Sequence, residues 1–234
     1  MTKRLKIAMI SIHSCPMKMP GGRDTGGMNV YIRELARELG KRGHSVDIYT
    51  MAHQPQHEPL VNLGQNVRLI HLEAGVDEDM PKVAIYAYVR RFACGVENFR
   101  KSNDINYDLI HSHYWLSGLI GRQLQTRWHI PHAVMFHTLG AVKNSIGIGR
   151  DEPELRIEGE REVVGSCDRI IASTAKERED LIKHYGASTD KIAIIPCGVN
   201  LDLFKPVAKE IARKELGLDH QKVILFVGRI EPLK

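Results

Sequence analysis

Apolar runs of strand length alternate with segments of helical periodicity along almost the whole chain, and this rhythm leaves few folds open to it. Leu5–Ile12, Ser45–Thr50, Val67–Leu72, Tyr107–His111, Ala133–Phe136, Arg169–Ser173 and Lys191–Ile195 read as strands, several of them apolar enough to be covered on both faces. Between them, Met28–Arg42, Lys82–Phe99, Trp115–Trp128, Pro153–Cys167 and Ala175–Tyr185 read as helices. In the first, the apolar residues Val30, Ile32, Leu35, Ala36 and Leu39 suit a helix largely covered by the sheet, and Gly43 stands where a helix C-terminal glycine belongs. The expectation is an α/β fold: a doubly wound parallel sheet of Rossmann-like type with helices on both faces. Ligands of such sheets sit beyond the carboxyl ends of the strands. The loops to inspect are therefore 13–27, 111–115, 137–150 and 196–200.

The rhythm breaks between Pro196 and Pro206. Residues 1–200 are expected to form one domain and 201–206 a linker. Residues 207–234, with a short helix over Ala208–Leu216 and an apolar strand over Val223–Val227, are expected to begin a second α/β domain. A complete domain of that kind takes on the order of 100–200 residues, so the second one is expected to be truncated.

The overall charge is +5, with 33 Lys and Arg against 28 Asp and Glu, which raises nucleic acid as a partner. The basic residues are interleaved with acids, as in Lys176-Glu177-Arg178-Glu179-Asp180, so no basic stripe forms, and small anions account for the excess as well. Cys15, Cys94, Cys167 and Cys197 form no C-x-x-C pair, which argues against a disulfide framework and fits a reducing cytoplasm. The apolar run Ile7–Ile12 is far shorter than the roughly 20 residues that span a bilayer.

Gly26-Gly27 precedes a helix, where glycines let a phosphate approach the backbone N–H groups; a flexible turn is the plainer alternative. Neither a G-x-G-x-x-G nor a P-loop pattern is present. His137 follows an expected strand end, where it either meets substrate or serves the structure. His111 and His113, two apart, fit pocket lining better than zinc, because no third ligand stands at useful spacing. Arg156 and Glu160 lie four apart on an expected helix, the spacing of a simple ion pair. Lys82 after Pro81 reads as a solvated lysine. Arg229 and Lys234, five apart after the last apolar run, suit either a diphosphate clamp or a solvated tail.

The order of these elements resembles the retaining glycosyltransferases of family 4. The elements are Gly26-Gly27-Met28-Asn29-Val30-Tyr31, the His-Ser-His-Tyr-Trp-Leu-Ser-Gly run at 111–118, His137-Thr138-Leu139, Arg156 with Glu160, Ile195-Pro196-Cys197-Gly198-Val199-Asn200, and Gly228-Arg229 with Lys234. Within the family the sequence looks most like the branch that moves N-acetylglucosamine from UDP-N-acetylglucosamine to inositol phosphate in mycothiol synthesis, with sucrose-phosphate synthases as near relatives. The resemblance implies a GT-B fold, whose acceptor-binding N-terminal domain would be residues 1–200 and whose nucleotide-sugar domain would begin at 207.

Position by position, the resemblance implies that Gly27, Arg229 and Lys234 bind the donor diphosphate and that His137 lies beside the donor sugar as the catalytic residue. Asn29, Lys82, Tyr114, Thr138 and Arg156 would bind the acceptor, the last four through its phosphate. The implied reaction retains anomeric configuration, and the departing diphosphate takes the acceptor proton. The donor is expected to be a UDP-sugar and the acceptor a phosphorylated polyol or sugar, with no metal, cofactor or nucleic acid. A homodimer is left open. The family's C-terminal glutamate motif is not in this sequence, so the chain by itself is expected to be inactive. Transfer to fructose 6-phosphate and a non-catalytic sugar-phosphate-binding remnant are the competing readings.

Overall fold

The computed structural model describes residues 3–17, 26–52, 58–73, 80–147 and 151–228. Among these, eight strands share one sheet: β1 (Lys6–Ile10), β2 (Ser45–Met51), β3 (Leu60–Gly64), β4 (Val67–Leu72), β5 (Leu109–His113), β6 (His132–Met135), β7 (Arg169–Ala172) and β8 (Ile192–Ile194). Their order is β3-β4-β2-β1-β5-β6-β7-β8, and every pairing is parallel except that of the edge strand β3 with β4. The chain winds outward from β1 in one direction through β2 and β4, then returns to β1's other side with β5. The crevice at this reversal, outside the carboxyl ends of β1 and β5, is where an open α/β sheet binds its ligands.

Alternation along the strands explains their continuous apolar character. Ile7 and Met9 of β1 point to one face, where they meet Val46, Ile48, Val67 and Leu69 beneath Ile32 and Ala36 of α1 (Gly27–Lys41). Ala8 and Ile10 point to the other face, joining Ile110 and Val134 in a core shared with α2 (Val89–Ser102), α3 (Trp115–Trp128) and α5 (Glu154–Ser166). The remaining helices are α4 (Gly140–Ile146), α6 (Ala175–Tyr185) and α7 (Lys209–Glu215). None of the four cysteines is in a disulfide among the described residues, and no helix of those residues is long and apolar enough to cross a membrane.

Several sequence expectations need correction. β5 runs two residues later than Tyr107–His111, since its pairing with β1 begins only at Leu109; Tyr107 stands ahead of it and donates its hydroxyl to the Asp47 carboxylate of β2 (2.7 Å). The expected helix over Lys82–Phe99 opens as a 3-10 turn over Ala84–Tyr88 before becoming α2. α4 stands in the stretch read as the loop 137–150, and β3 in a stretch to which the sequence reading assigned no element. Val223–Val227 forms no strand: Ile224 is 100% exposed and Val227 84%, with no ladder neighbour among the described residues to satisfy the backbone. From Ile195 to Gly228 no residue is buried, and α7 likewise buries nothing.

Two glycines set how α5 sits on α3. A Cβ at Gly159 would lie 2.7 Å from Cε3 of the buried Trp115, and one at Gly118 would lie 2.7 Å from Cγ1 of Val163. Each helix thus admits the other's bulkier side chain, and Arg156 is brought down beside the carboxyl edge of the sheet. Gly159→Ala is expected to cost about 1–3 kcal/mol through overpacking. Gly165→Ala, on the exposed side of the same helix with nothing within 4 Å, is expected to gain up to about 1 kcal/mol. Urea denaturation of the two variants checks this; equal effects at both positions would refute the close approach.

Candidate active site

Three loops converge where the strand order reverses. After β1, the Ser11 hydroxyl donates to the Ser14 carbonyl (2.7 Å), and the Ile12 N–H donates to the Ser117 hydroxyl at the start of α3 (3.1 Å). Asn29, buried on the first turn of α1, clasps this loop: its amide donates to the Cys15 carbonyl (2.9 Å) and its oxygen accepts from the Ser14 hydroxyl. Gly26, the N-cap of α1, is extended and supplies no side-chain cap. A Cβ at Gly26 or Gly27 would meet nothing within 4 Å, so nothing described in the protein itself crowds these two glycines.

After β5, Tyr114 carries a backbone φ of 76° and ψ of 159°, a conformation that side chains rarely tolerate, and α3 begins at the next residue. The turn aims the Tyr114 ring between His13 (centroids 4.6 Å apart) and the guanidinium of Arg156, whose Cζ lies 4.9 Å from the ring centre. After β6, His137 also has a positive φ, 64°. Its Nε2 stands 3.0 Å from Nδ1 of His113, and the edge of Tyr31 from α1 packs against its ring at 5.3 Å.

Arg156 is 2% exposed, and its donors are almost fully engaged. Nε donates to Glu160 (2.8 Å), Nη2 to both the carbonyl and the hydroxyl of Thr138 (3.0 Å each), and Nη1 to Glu152 (2.9 Å). Burial works against its charge, yet Tyr114, Glu160 and Glu152 together raise its pKa above the ordinary value. The i, i+4 pair with Glu160 is therefore far from a solvated helix-face bridge. Glu160 is 0% exposed and also accepts from the Gly140 N–H (2.9 Å) and from the Tyr185 hydroxyl.

The histidines form an uncharged floor. Burial lowers His111 and His132 to about 4 and His137 to about 3, and pushes His113 well below its usual value. His113 Nε2 has no hydrogen-bond partner among the described residues. A proton on His113 Nδ1, donated to His137 Nε2, leaves a lone acceptor there rather than a stranded N–H, which is the cheaper choice. No group of three or more His, Cys, Asp or Glu able to hold a metal occurs among the described residues.

Arg156 thus contacts both Tyr114 and Thr138, His137 adjoins Thr138 on the loop after β6, and Asn29 holds the facing loop. Lys82 is exposed, in the turn preceding the 3-10 segment whose Tyr86 stacks on Trp115. Arg229 and Lys234 lie outside the described residues. The sequence reading missed Tyr31, Glu152 and Lys143. Only Tyr31, inside the Gly-Gly-Met-Asn-Val-Tyr string, carried a signal that could have found it.

The fold and this site define a class. The sequence profile of Glycosyltransferase Family 4 matches residues 25–203, and the chain belongs to that family. Among curated relatives, the D-inositol 3-phosphate glycosyltransferase of Corynebacterium glutamicum is 41% identical over 98% of this chain and 56% of its own length; that of Corynebacterium diphtheriae is 43% identical over 98% and 55%. Among solved structures, sucrose-phosphate synthase from Thermosynechococcus elongatus superposes with a TM-score of 0.82 at 30% identity, covering 92% of this chain and 53% of that one. The chain spans about half the length of the curated relatives it matches.

The neutral histidines predict acid sensitivity. Each native pKa lies below the unfolded value near 6.5, so the unfolded chain binds more protons as pH falls through that value. Stability is expected to be full above about pH 7. It should then fall with a slope of up to about 1.4 kcal/mol per pH unit for each histidine between pH 6 and 4. Denaturant unfolding at pH 7.5, 6 and 5 measures this, and a flat profile would contradict it.

Proposed function

We propose that this chain is the acceptor-binding part of a retaining glycosyltransferase that transfers a sugar from a nucleotide-sugar, UDP-linked, to inositol phosphate. The observation that carries the reading is the meeting of the Tyr114 ring, the Thr138 hydroxyl and the buried Arg156 guanidinium at the carboxyl edge of the sheet. A permanently charged fork beside a hydroxyl is suited to a phosphate monoester, which it binds by short, charge-assisted hydrogen bonds. Lys82 adds a second cation in this proposal. The names of the relatives at 41% and 43% identity point to the same acceptor. The likeness to sucrose-phosphate synthase supports a second acceptor, fructose 6-phosphate, that would use the same phosphate seat.

In this reading the donor diphosphate approaches the open N-terminus of α1 at Gly27, with Arg229 and Lys234 as its cationic ligands. His137, neutral and fixed by His113, lies against the donor sugar and contributes a hydrogen bond rather than a charge. Asn29 shapes the acceptor side by holding Ser14 and Cys15 in place. The departing diphosphate receives the acceptor proton, so the chemistry asks for stabilisation of the leaving group more than for a strong base. Residues 1–200 form the acceptor domain and the exposed stretch after it leads toward the nucleotide domain. The reducing cytoplasm is the setting in which four cysteines outside any disulfide would persist as thiols.

Calorimetry on the 234-residue chain with inositol phosphate, free inositol and UDP tests the proposal. Removing Arg156 outright would strand Glu160, so the informative variants are Arg156→Lys and Thr138→Val. Both are expected to weaken inositol phosphate binding by about tenfold or more and to leave the weak binding of free inositol unchanged. The chain alone is expected to show no sugar transfer. Indistinguishable binding of inositol and its phosphate would overturn the acceptor assignment, and transfer at ordinary enzymatic rates would overturn the view that these 234 residues hold only part of the donor site.

A further inference from the structure

The Nη1 edge of Arg156 is the one part of its fork committed to a group that is able to leave. Its other partners, Glu160 and the backbone and hydroxyl of Thr138, belong to the frame of the pocket. Glu152, just ahead of α5, is different: its side chain is 21% exposed. One of its carboxylate oxygens lies 2.9 Å from Arg156 Nη1 and the other 2.6 Å from Lys143 Nζ. Burial acts against ionisation of Glu152, but Lys143 and Arg156 outweigh it and hold its pKa below the ordinary carboxylate range. Asn144, beside Lys143 on α4, fixes the backbone that carries it: the Glu152 N–H donates to Asn144 Oδ1 (2.7 Å), and Asn144 Nδ2 donates to the Glu152 carbonyl (3.1 Å).

A carboxylate bridging an arginine and a lysine presents to these two cations the same sign of charge and a similar pair of acceptor oxygens as a phosphate would, with one negative charge in place of two. We infer that Glu152 occupies the acceptor's phosphate seat in the unliganded protein, and that binding exchanges the Glu152 carboxylate for the phosphate, with Lys143 becoming a further phosphate ligand. This rests on the acceptor reading given above.

The charge arithmetic demands exchange rather than coexistence. Arg156 and Lys143 carry two positive charges, and Glu160 and Glu152 balance them. Adding a phosphate dianion while Glu152 stayed would leave the cluster doubly negative in a half-buried place. Releasing Glu152 to solvent leaves one excess negative charge for a cation such as Lys82 to meet. Glu152 is then a specificity-determining residue. A dianion outcompetes it for the two cations, whereas a polyol without phosphate offers nothing to take its place, so the internal competitor sharpens the choice between them.

Inorganic phosphate and inositol phosphate, titrated at pH 8 into the 234-residue chain and its variants, test the exchange. Glu152→Gln removes the competitor's charge. Asn144→Ala leaves every charge in place and frees only the backbone that presents Glu152. Both are expected to bind inorganic phosphate about three- to tenfold tighter than the parent chain, and Lys143→Met added to Glu152→Gln is expected to cancel that gain. If phosphate binds the parent chain and needs Arg156 but neither variant tightens it, Glu152 is only a brace for Arg156 and the exchange is refuted while the acceptor reading stands. Tightening in Glu152→Gln but not in Asn144→Ala reduces the effect to background charge and also refutes it. Absence of phosphate binding in every form removes the acceptor reading itself, and the exchange with it.

Discussion

A single buried carboxylate holds the pocket together. Glu160 is sealed from solvent and receives the Nε of Arg156, the N–H that opens α4 and the hydroxyl of Tyr185 at the end of α6. Three helices that share little other contact are thereby tied to one point. The cost of desolvating the ion is met by neighbours on every side, the condition under which a buried ion pair is tolerable. Loss of either member would leave an uncompensated charge in the interior, typically a cost of about 3–5 kcal/mol. The guanidinium that the proposed reaction relies on is therefore as fixed as the core beneath it.

The site divides into two electrostatic halves. Around β5 and β6 stand His111, His113 and His137, all kept neutral by burial, with Tyr31 across from them. Around α4 and α5 stand Arg156 and Lys143 with their carboxylates. Such a division suits a pocket that must anchor a charged group at one end and present an uncharged wall to a sugar at the other. It follows from topology: the neutral half is built from strand ends, whose side chains are covered by helices, and the charged half from α4, α5 and the residues just ahead of α5, where each buried charge meets an opposite one.

Much of the fold was legible in the sequence because strands covered on both faces have no choice but to be apolar throughout, as in β1, β2 and β4. β3 escaped because it is an edge strand whose Val61 and Leu63 alternate with exposed neighbours. α4 escaped because seven residues beginning with glycine carry too little periodicity to register. Val223–Val227 misled in the opposite sense: its apolar side chains suit a strand, but a strand exists only with a ladder partner, and none is at hand among the described residues. The site was legible through the order of its motifs rather than through any one of them. That Thr138 and Arg156, 18 positions apart, share hydrogen bonds depends on the α3–α5 glycine contact, which no local pattern announces. Glu152 gave no signal at all, since an acidic residue ahead of a helix is ordinary.

The backbone at Tyr114 has a consequence for anyone who would alter this protein. Its torsions suit glycine, and the fold bears the strain of a large aromatic residue there because only that ring spans from His13 to Arg156. Selection for thermal robustness alone would drift toward glycine at this position, relaxing the chain while emptying the space above the guanidinium. Durability and recognition pull this one residue in opposite directions, and the tyrosine records which of them natural selection has favoured.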